Sequence, residues 1–397
     1  MKIKHENRFL PSYFIMYGLY AVIGPYLAIM VRGLGYSPLW IGILFGVYEG
    51  IGLSGPFVFG YWADKTGNYR YALTTAVLLP AFAIFPLITW VHPLLSALFL
   101  ALMAFGLRGS ITLIDALTTI QIGNTGNYGR IRVWGSFGFI LFSLFFQWTP
   151  FLKLNSPTNI SLWIVIISVA SAVPFFVLPA FALKASVHSK NGEKPEEKMI
   201  PIFSFYVVGT FLIIFLGRFS IAALHTYFPL YMVEILKWDA VGLMFAIAAL
   251  SEIPFFFMSF ALIRRFGPVP LLALAAGGTC VRLLILAFLP FKGVIIFSQL
   301  LNSVTMGMFH PAFIYFIASI FPSGKRGRGM SVFMALGASL PLLIGNMAGG
   351  AVIEAYGYQS FFVIYAAVTG CAVLLYVIMR RVLVHPDSGK PGKPTPD

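Results

Sequence analysis

The sequence predicts an all-α membrane protein, with twelve transmembrane helices in two pseudo-symmetric six-helix bundles. Of 397 residues 59% are hydrophobic and only 10% charged, with 40 phenylalanines, more apolar surface than a water-soluble core of this length can hide. The apolar residues gather into twelve runs, near 9–31, 39–62, 71–91, 94–120, 131–150, 160–183, 202–232, 241–262, 269–290, 293–320, 330–353 and 358–383. Each approaches the roughly 20 residues that a spanning helix needs. The third observation is internal duplication. Residues 40–67 and 240–267 coincide at an offset of 200, pairing Gly42 with Gly242, Phe45 with Phe245, Phe57 with Phe257 and Gly67 with Gly267. Lipid leaves an unpaired backbone group without a partner, so the runs are helical, and no alternating segments of about ten residues suggest a barrel.

Run 9–31 follows Lys2, Lys4 and Arg8. It is too long for a secretory leader, lacks a small-residue cleavage site and precedes further spans, so it is the first helix. The next two runs flank a charged turn, Asp64 to Arg70, and the fourth carries Arg108 and Asp115. The fifth opens on Arg130-Ile131-Arg132, and the sixth ends the first half. Residues 184–200 then switch to Lys, Glu, Ser, Gly and Pro, which predicts a cytoplasmic linker between bundles 1–183 and 201–383. In the second half, run 202–232 carries Arg218 and His225, 241–262 carries Glu252, 269–290 carries Arg282, and 293–320 carries Asn302 and His310. Gly345, Gly349 and Gly350 in the eleventh run, like Gly135 and Gly138 in the fifth, suit close helix approach at a moving interface or ordinary tight packing. The tail, 384–397, is rich in Pro, Gly and Lys and is expected to be disordered.

The net charge of +14 is a statement about topology. Of 27 Lys and Arg, 20 fall in the N-terminus, the even-numbered loops and the C-terminus, and only Arg32, Lys153, Lys237 and Lys292 fall on the other side. The positive-inside rule therefore puts both termini in the cytoplasm of a multi-pass protein of the cell (inner) membrane. The expected surroundings are the lipid bilayer, with no nucleic acid partner. Cys280 and Cys371 both lie in apolar runs and imply neither a disulfide framework nor a metal site, and no cofactor is expected.

Charges at membrane depth are the candidate functional residues. Glu49, Asp115 and Glu252 stand against Arg108, Arg218 and Arg282, with His225 and His310 beside them. A lone ion there costs at least ~2.5–3.5 kcal/mol, so these groups pair or line a cavity. Arg108 and Asp115, seven residues apart, share a helix face, as do Arg218 and His225. Glu49 and Glu252 fall three positions apart in the duplicated alignment and would approach one cavity from opposite halves. Burial favours a neutral carboxyl and a nearby arginine a charged one, so exchanging the two environments moves a proton.

The stretch Gly60-Tyr61-Trp62-Ala63-Asp64-Lys65-Thr66-Gly67-Asn68-Tyr69-Arg70 resembles the signature between helices 2 and 3 of the major facilitator superfamily. Its second copy, Ala261 to Gly267, keeps the basic pair Arg264-Arg265 and the glycine but lacks the acid. The resemblance implies a gating latch of Asp64 with Lys65 and Arg70, breaking as the halves rock. Asp115 followed by Tyr128-Gly129-Arg130-Ile131-Arg132-Val133-Trp134-Gly135-Ser136-Phe137-Gly138-Phe139 is similar to the lactose-permease and phenylpropionate-permease branch, which includes oligosaccharide and nucleoside proton symporters. By that resemblance Asp115 and Arg132 hold the solute, Phe139 takes the place of a stacking aromatic, and Arg282 that of the coupling arginine. The segment Gln299 to His310 follows the phenylpropionate pattern, with Asn302 where many relatives carry a histidine. The lactose-permease His/Glu proton pair is not reproduced, and Arg108 has no arginine counterpart there.

Together these features predict a transporter and not an enzyme, since no nucleophile motif, metal cluster or phosphate loop occurs. The expected activity is proton-coupled symport of a small polar organic solute, such as a sugar, nucleoside or aromatic acid, by a monomer working through alternating access. Glu252, Asp115, Glu49, Arg282 and His310 are the candidates for proton coupling. Asp115, Arg132, Arg108, Arg218, His225, Phe139 and Asn302 are the candidates for solute binding. Alternatives left open are an organic-anion carrier with Arg108, Arg218 and Arg282 on a carboxylate, a proton-driven exporter, and a non-transporting membrane sensor or lipid-handling protein.

Overall fold

A computed structural model describes residues 9–122, 128–177, 201–321 and 332–383. The linker 184–200 and the tail 384–397 lie outside the described residues. Twelve helical spans run through the rest. The first bundle comprises α1 (Phe9–Gly33), α2 (Pro38–Thr66), α3 (Tyr69–Thr89), α4 (Pro93–Ile122), α5 (Tyr128–Trp148) and α6 (Pro157–Val177). In the second are α7 (Phe205–Glu234), α8 (Val241–Phe266), α9 (Pro268–Phe288) and α10 (Lys292–Ile320), with α11 over 332–356 and α12 over 358–379. The last two are continuous apart from Gly357, whose φ of 76° breaks the helix between them. A single crossing of the 48 residues Val332–Met379 would be about 70 Å long, more than twice a bilayer core.

The duplication is visible in how the glycines are used. Gly67 (φ 65°) ends α2 and Gly267 (φ 80°) ends α8, each in a backbone conformation that a side chain resists. Gly42 of α2 lies against the carbonyl of Asn346 on α11 and the hydroxyl of Tyr227 on α7. Its copy Gly242 on α8 lies against the carbonyl of Ser143 on α5 and the hydroxyl of Tyr26 on α1. The two contacts are the same contact made by opposite halves. Gly138 seats α5 on the Phe14 carbonyl of α1, and Gly345 seats α11 on the Phe219 carbonyl of α7. These lie within one bundle, so they are packing internal to it; of the five glycines singled out for close helix approach, Gly350, against the Pro38 carbonyl, stands between halves.

Packing also shows which side is closed. We call the side where α1 starts and α12 ends the basic side. On the far side one continuous core joins both bundles, including Tyr26, Leu44, Phe146, Tyr227, Met244 and Phe361. On the basic side it gives way to two separate cores, one around Phe59, Leu113 and Phe175, the other around Ile214, Phe313 and Phe316. Among the described residues, every hydrogen bond crossing between bundles lies at mid-depth or beyond, toward the far side. The bundles are thus joined at the far side and part toward the basic side.

Candidate functional site

Each bundle holds its own polar cluster at membrane depth. In the first, Glu49 of α2 pairs with Arg108 of α4 through a direct ion pair. Arg108 also reaches across to Ser339 Oγ on α11 at 3.5 Å. One heptad along α4, Asp115 pairs with Arg132 Nε at 3.5 Å and accepts a 2.7 Å hydrogen bond from Tyr13 of α1. The Arg132 guanidinium lies 4.7 Å from the centre of the Tyr17 ring, so two α1 tyrosines hold the pair from one side. Side-chain exposures of 30% for Asp115, 34% for Arg132 and 31% for Arg108 leave these groups partly open, which charges in a span tolerate where they line a cavity and not where they face lipid.

In the second bundle Arg282 of α9 is buried and donates to Asn302 Oδ1 at 2.8 Å, Gln299 Oε1 at 2.8 Å and Thr305 Oγ1 at 3.1 Å, all on α10. The Asn302 amide donates in turn to the carboxylate of Glu252 on α8. Glu252 therefore reaches Arg282 through an amide. A π-helical turn, Ser303–Met308, follows Asn302, and a second, Ala223–Tyr227, contains His225. Such turns insert a residue into the helical repeat and re-aim the side chains around them. The second turn lies between Arg218 and Phe228, so the seven-residue spacing of Arg218 and His225 is not that of a regular α-helix.

Arg218 is 6% exposed. Its guanidinium lies 4.9 Å from the centre of the Phe309 ring and donates to Met306 Sδ at 3.4 Å, while its Nε has no partner among the described residues. His310 meets Phe309 edge-on and is half-buried, as is His225, which lies within electrostatic reach of Arg218, Arg282, Arg108 and His310. Phe139 is half-buried on α5 without an aromatic partner among the described residues. Glu49 and Glu252 remain in separate clusters, each tied to its own bundle.

The expected latch is not formed in this state. Asp64 accepts a hydrogen bond from Tyr69, Lys65 lies 5.6 Å from the Tyr61 ring, and Arg70 lies 5.2 Å from Phe176 of α6. With the bundles apart on the basic side, these groups find partners within the first half. Residues the sequence reading missed are Tyr13, Tyr17, Gln299, Thr305, Met306, Phe309 and Ser339. Gln299, Asn302 and Thr305 recur every three positions and Tyr13 and Tyr17 four apart, a spacing that would have placed them on polar helix faces.

The family model described as MFS_1 like family matches residues 9–364. The chain belongs to this family. Its members share the major facilitator fold, and the chain is a membrane transporter, a class distinct from enzymes. It is 24% identical over 379 residues to the maltose permease of Geobacillus stearothermophilus, with 93% of each chain covered. An uncharacterized transporter of Bacillus subtilis, YwbF, is 25% identical over 287 residues, covering 69% of this chain and 68% of that one. Among solved structures, the nucleoside transporter NupG superposes with a TM-score of 0.77 at 15% identity, covering 95% of this chain and 99% of that one, a likeness of fold.

Proposed function

We propose that this member of the MFS_1 like family is a proton-coupled symporter that imports a small polar organic solute by alternating access. It works as a monomer in the cytoplasmic membrane, with both termini and the basic loops inside. Residues 1–183 and 201–383 act as the two rocking bodies, 184–200 as their tether and 384–397 as a cytoplasmic tail. Asp115, Arg132, Arg108, Arg218, His225, Phe139 and Asn302 face the solute; Glu252, Asp115, Glu49, Arg282 and His310 form the proton-responsive set. Asp64, Lys65 and Arg70 act as a basic-side gate once the bundles close there.

The observation that carries this reading is the Glu252–Asn302–Arg282 relay. A charged Glu252 accepts from the Asn302 amide and feels Arg282 through it. Once protonated, the carboxyl becomes a donor and the amide loses the reason for its orientation, so Arg282 is free to take another acceptor. Proton occupancy and the availability of Arg282 are thereby linked across three helices.

The test is external alkalinisation of lightly buffered, de-energised vesicles on adding sugars, nucleosides or aromatic carboxylates. A solute-specific pH rise is expected in the native chain. Changing Glu252→Gln and Asp115→Asn, one at a time, should abolish proton-driven uptake; full uptake in both variants overturns the assignment.

A further inference from the structure

The charges at the centre of the molecule do not balance. Arg132, through its pair with Asp115, joins the three arginines at membrane depth, so four guanidiniums (Arg108, Arg132, Arg218 and Arg282) stand with three carboxylates (Glu49, Asp115 and Glu252) in these clusters among the described residues. Asp115 is taken by Arg132, Glu49 by Arg108, and Glu252 by the relay to Arg282. Arg218 is left over. It is more than nine-tenths buried, its Nε has no partner, and its other contacts are a thioether and an aromatic face, both weak acceptors. A buried guanidinium held so poorly is costly, and a chain retains it where a ligand supplies the missing charge.

Arg218 lies on α7, within electrostatic reach of Glu49 and Arg108 on the opposite bundle. The space beside it within its own bundle is nearly filled, chiefly by apolar side chains of α7, α9 and α10 with Thr279 and Thr305, so a ligand would have to approach the guanidinium from the side facing the first bundle. An anion arriving there would displace the Met306 sulfur and take the guanidinium fork.

We infer that Arg218 is an anion-binding residue of the central site, and that the transported solute carries a carboxylate or phosphate group. This rests on the transport reading above and narrows its solute class. A neutral sugar would leave the fourth positive charge uncompensated. The rival account is that Arg218 is structural and borrows Glu49 when the bundles rearrange.

Binding is measured without any gradient, so the outcome is independent of proton coupling. The purified full chain is unfolded thermally in sodium acetate, sodium benzoate, sodium phosphate, or glucose, at one ionic strength set with sodium chloride. At least one of the three anions should raise the unfolding temperature where glucose does not, and which anion acts separates a carboxylate from a phosphate ligand. Arg218→Gln should weaken that response about thirtyfold or more in apparent affinity, as loss of one partner of a buried charged hydrogen bond does. Arg218→Lys, which keeps the charge without the fork, should retain part of it. Without ligand, Arg218→Gln should unfold no earlier than the native chain. Absence of any anion response in the native chain, or a response that survives Arg218→Gln, overturns the inference. So does early unfolding of unliganded Arg218→Gln together with an undiminished anion response in Arg218→Lys, the pattern of a structural arginine. Full proton-driven uptake in both Glu252→Gln and Asp115→Asn would defeat the proton-coupling assignment and leave this one standing.

Discussion

At the scale of single residues, Asn302 is the link on which the proposed proton response rests. It is 8% exposed and stands between a carboxylate and a guanidinium, donating to Glu252 and accepting from Arg282. Asn302→Ala leaves Glu252 without its donor, whereas Arg282 keeps Gln299 and Thr305. An unsatisfied buried group of this kind costs about 1–3 kcal/mol. The variant should exchange solute across the membrane but carry fewer protons with it, seen by comparing counterflow with alkalinisation in the same vesicles. Native proton movement per solute would end Asn302's role. The ionic half of the site was legible in the sequence, because a charge inside an apolar run demands a reason. Tyr13, Gln299 and Thr305 were not, because a tyrosine, glutamine or threonine in a span is inexpensive and gains meaning only from what faces it. The two π turns were equally hidden, since they change the register by backbone hydrogen bonding and leave no compositional trace.

Helix pairs separate packing that persists from packing that must come apart. A methyl added at Gly42 would lie 2.5 Å from the Asn346 carbonyl and 3.0 Å from Gly350 Cα, backbone atoms that no rotamer change can move. Gly42→Ala therefore parts α2 from α11 and disfavours the far-side-closed state. At about 1–3 kcal/mol of overpacking, that is a shift in population of about fivefold to a hundredfold. A methyl at Gly138 would lie 2.2 Å from the Phe14 carbonyl inside the first bundle, so Gly138→Ala should lower the unfolding temperature without shifting the states. A reporter distinguishes them: Leu343→Cys, behind Gly50 on α11, in a chain whose native thiols are removed by Cys280→Ala and Cys371→Ala. An impermeant maleimide added from the far side should label it faster with Gly42→Ala and at the native rate with Gly138→Ala. Equal rates in the two would mean that α2 and α11 do not separate. Run lengths and the 200-residue offset made the twelve spans and the repeat readable. Which glycines slide was not, because Gly138 and Gly350 look alike in sequence and differ only in whether their neighbour belongs to the same bundle.

Across the whole molecule, two acids of the second bundle grip the first on the far side, beside the apolar core that joins the bundles there. Glu234, at the end of α7, pairs with Arg32 at the end of α1 and accepts from Tyr358 of α12 at 2.8 Å. Glu354, at the end of α11, accepts from Ser37 Oγ at 2.6 Å and Leu39 N at 2.8 Å, and so caps the positive N-terminus of α2. Of these residues the sequence singled out Arg32 alone, and only as a charge on the far side; Glu234, Glu354, Ser37 and Tyr358 are ordinary charged or polar groups near loops. Both contacts sit in partly exposed positions, where salt screens them. Glu234→Gln combined with Glu354→Gln should therefore speed far-side labelling of Leu343→Cys. Raising the salt from about 0.01 M to 1 M, which shortens the screening length from ~30 Å to ~3 Å, should speed it in the native chain and do little in the double variant. If labelling in both chains rises equally with salt, the closure is held by the shared apolar core around Tyr227 and Phe361, and the two acids only decorate it.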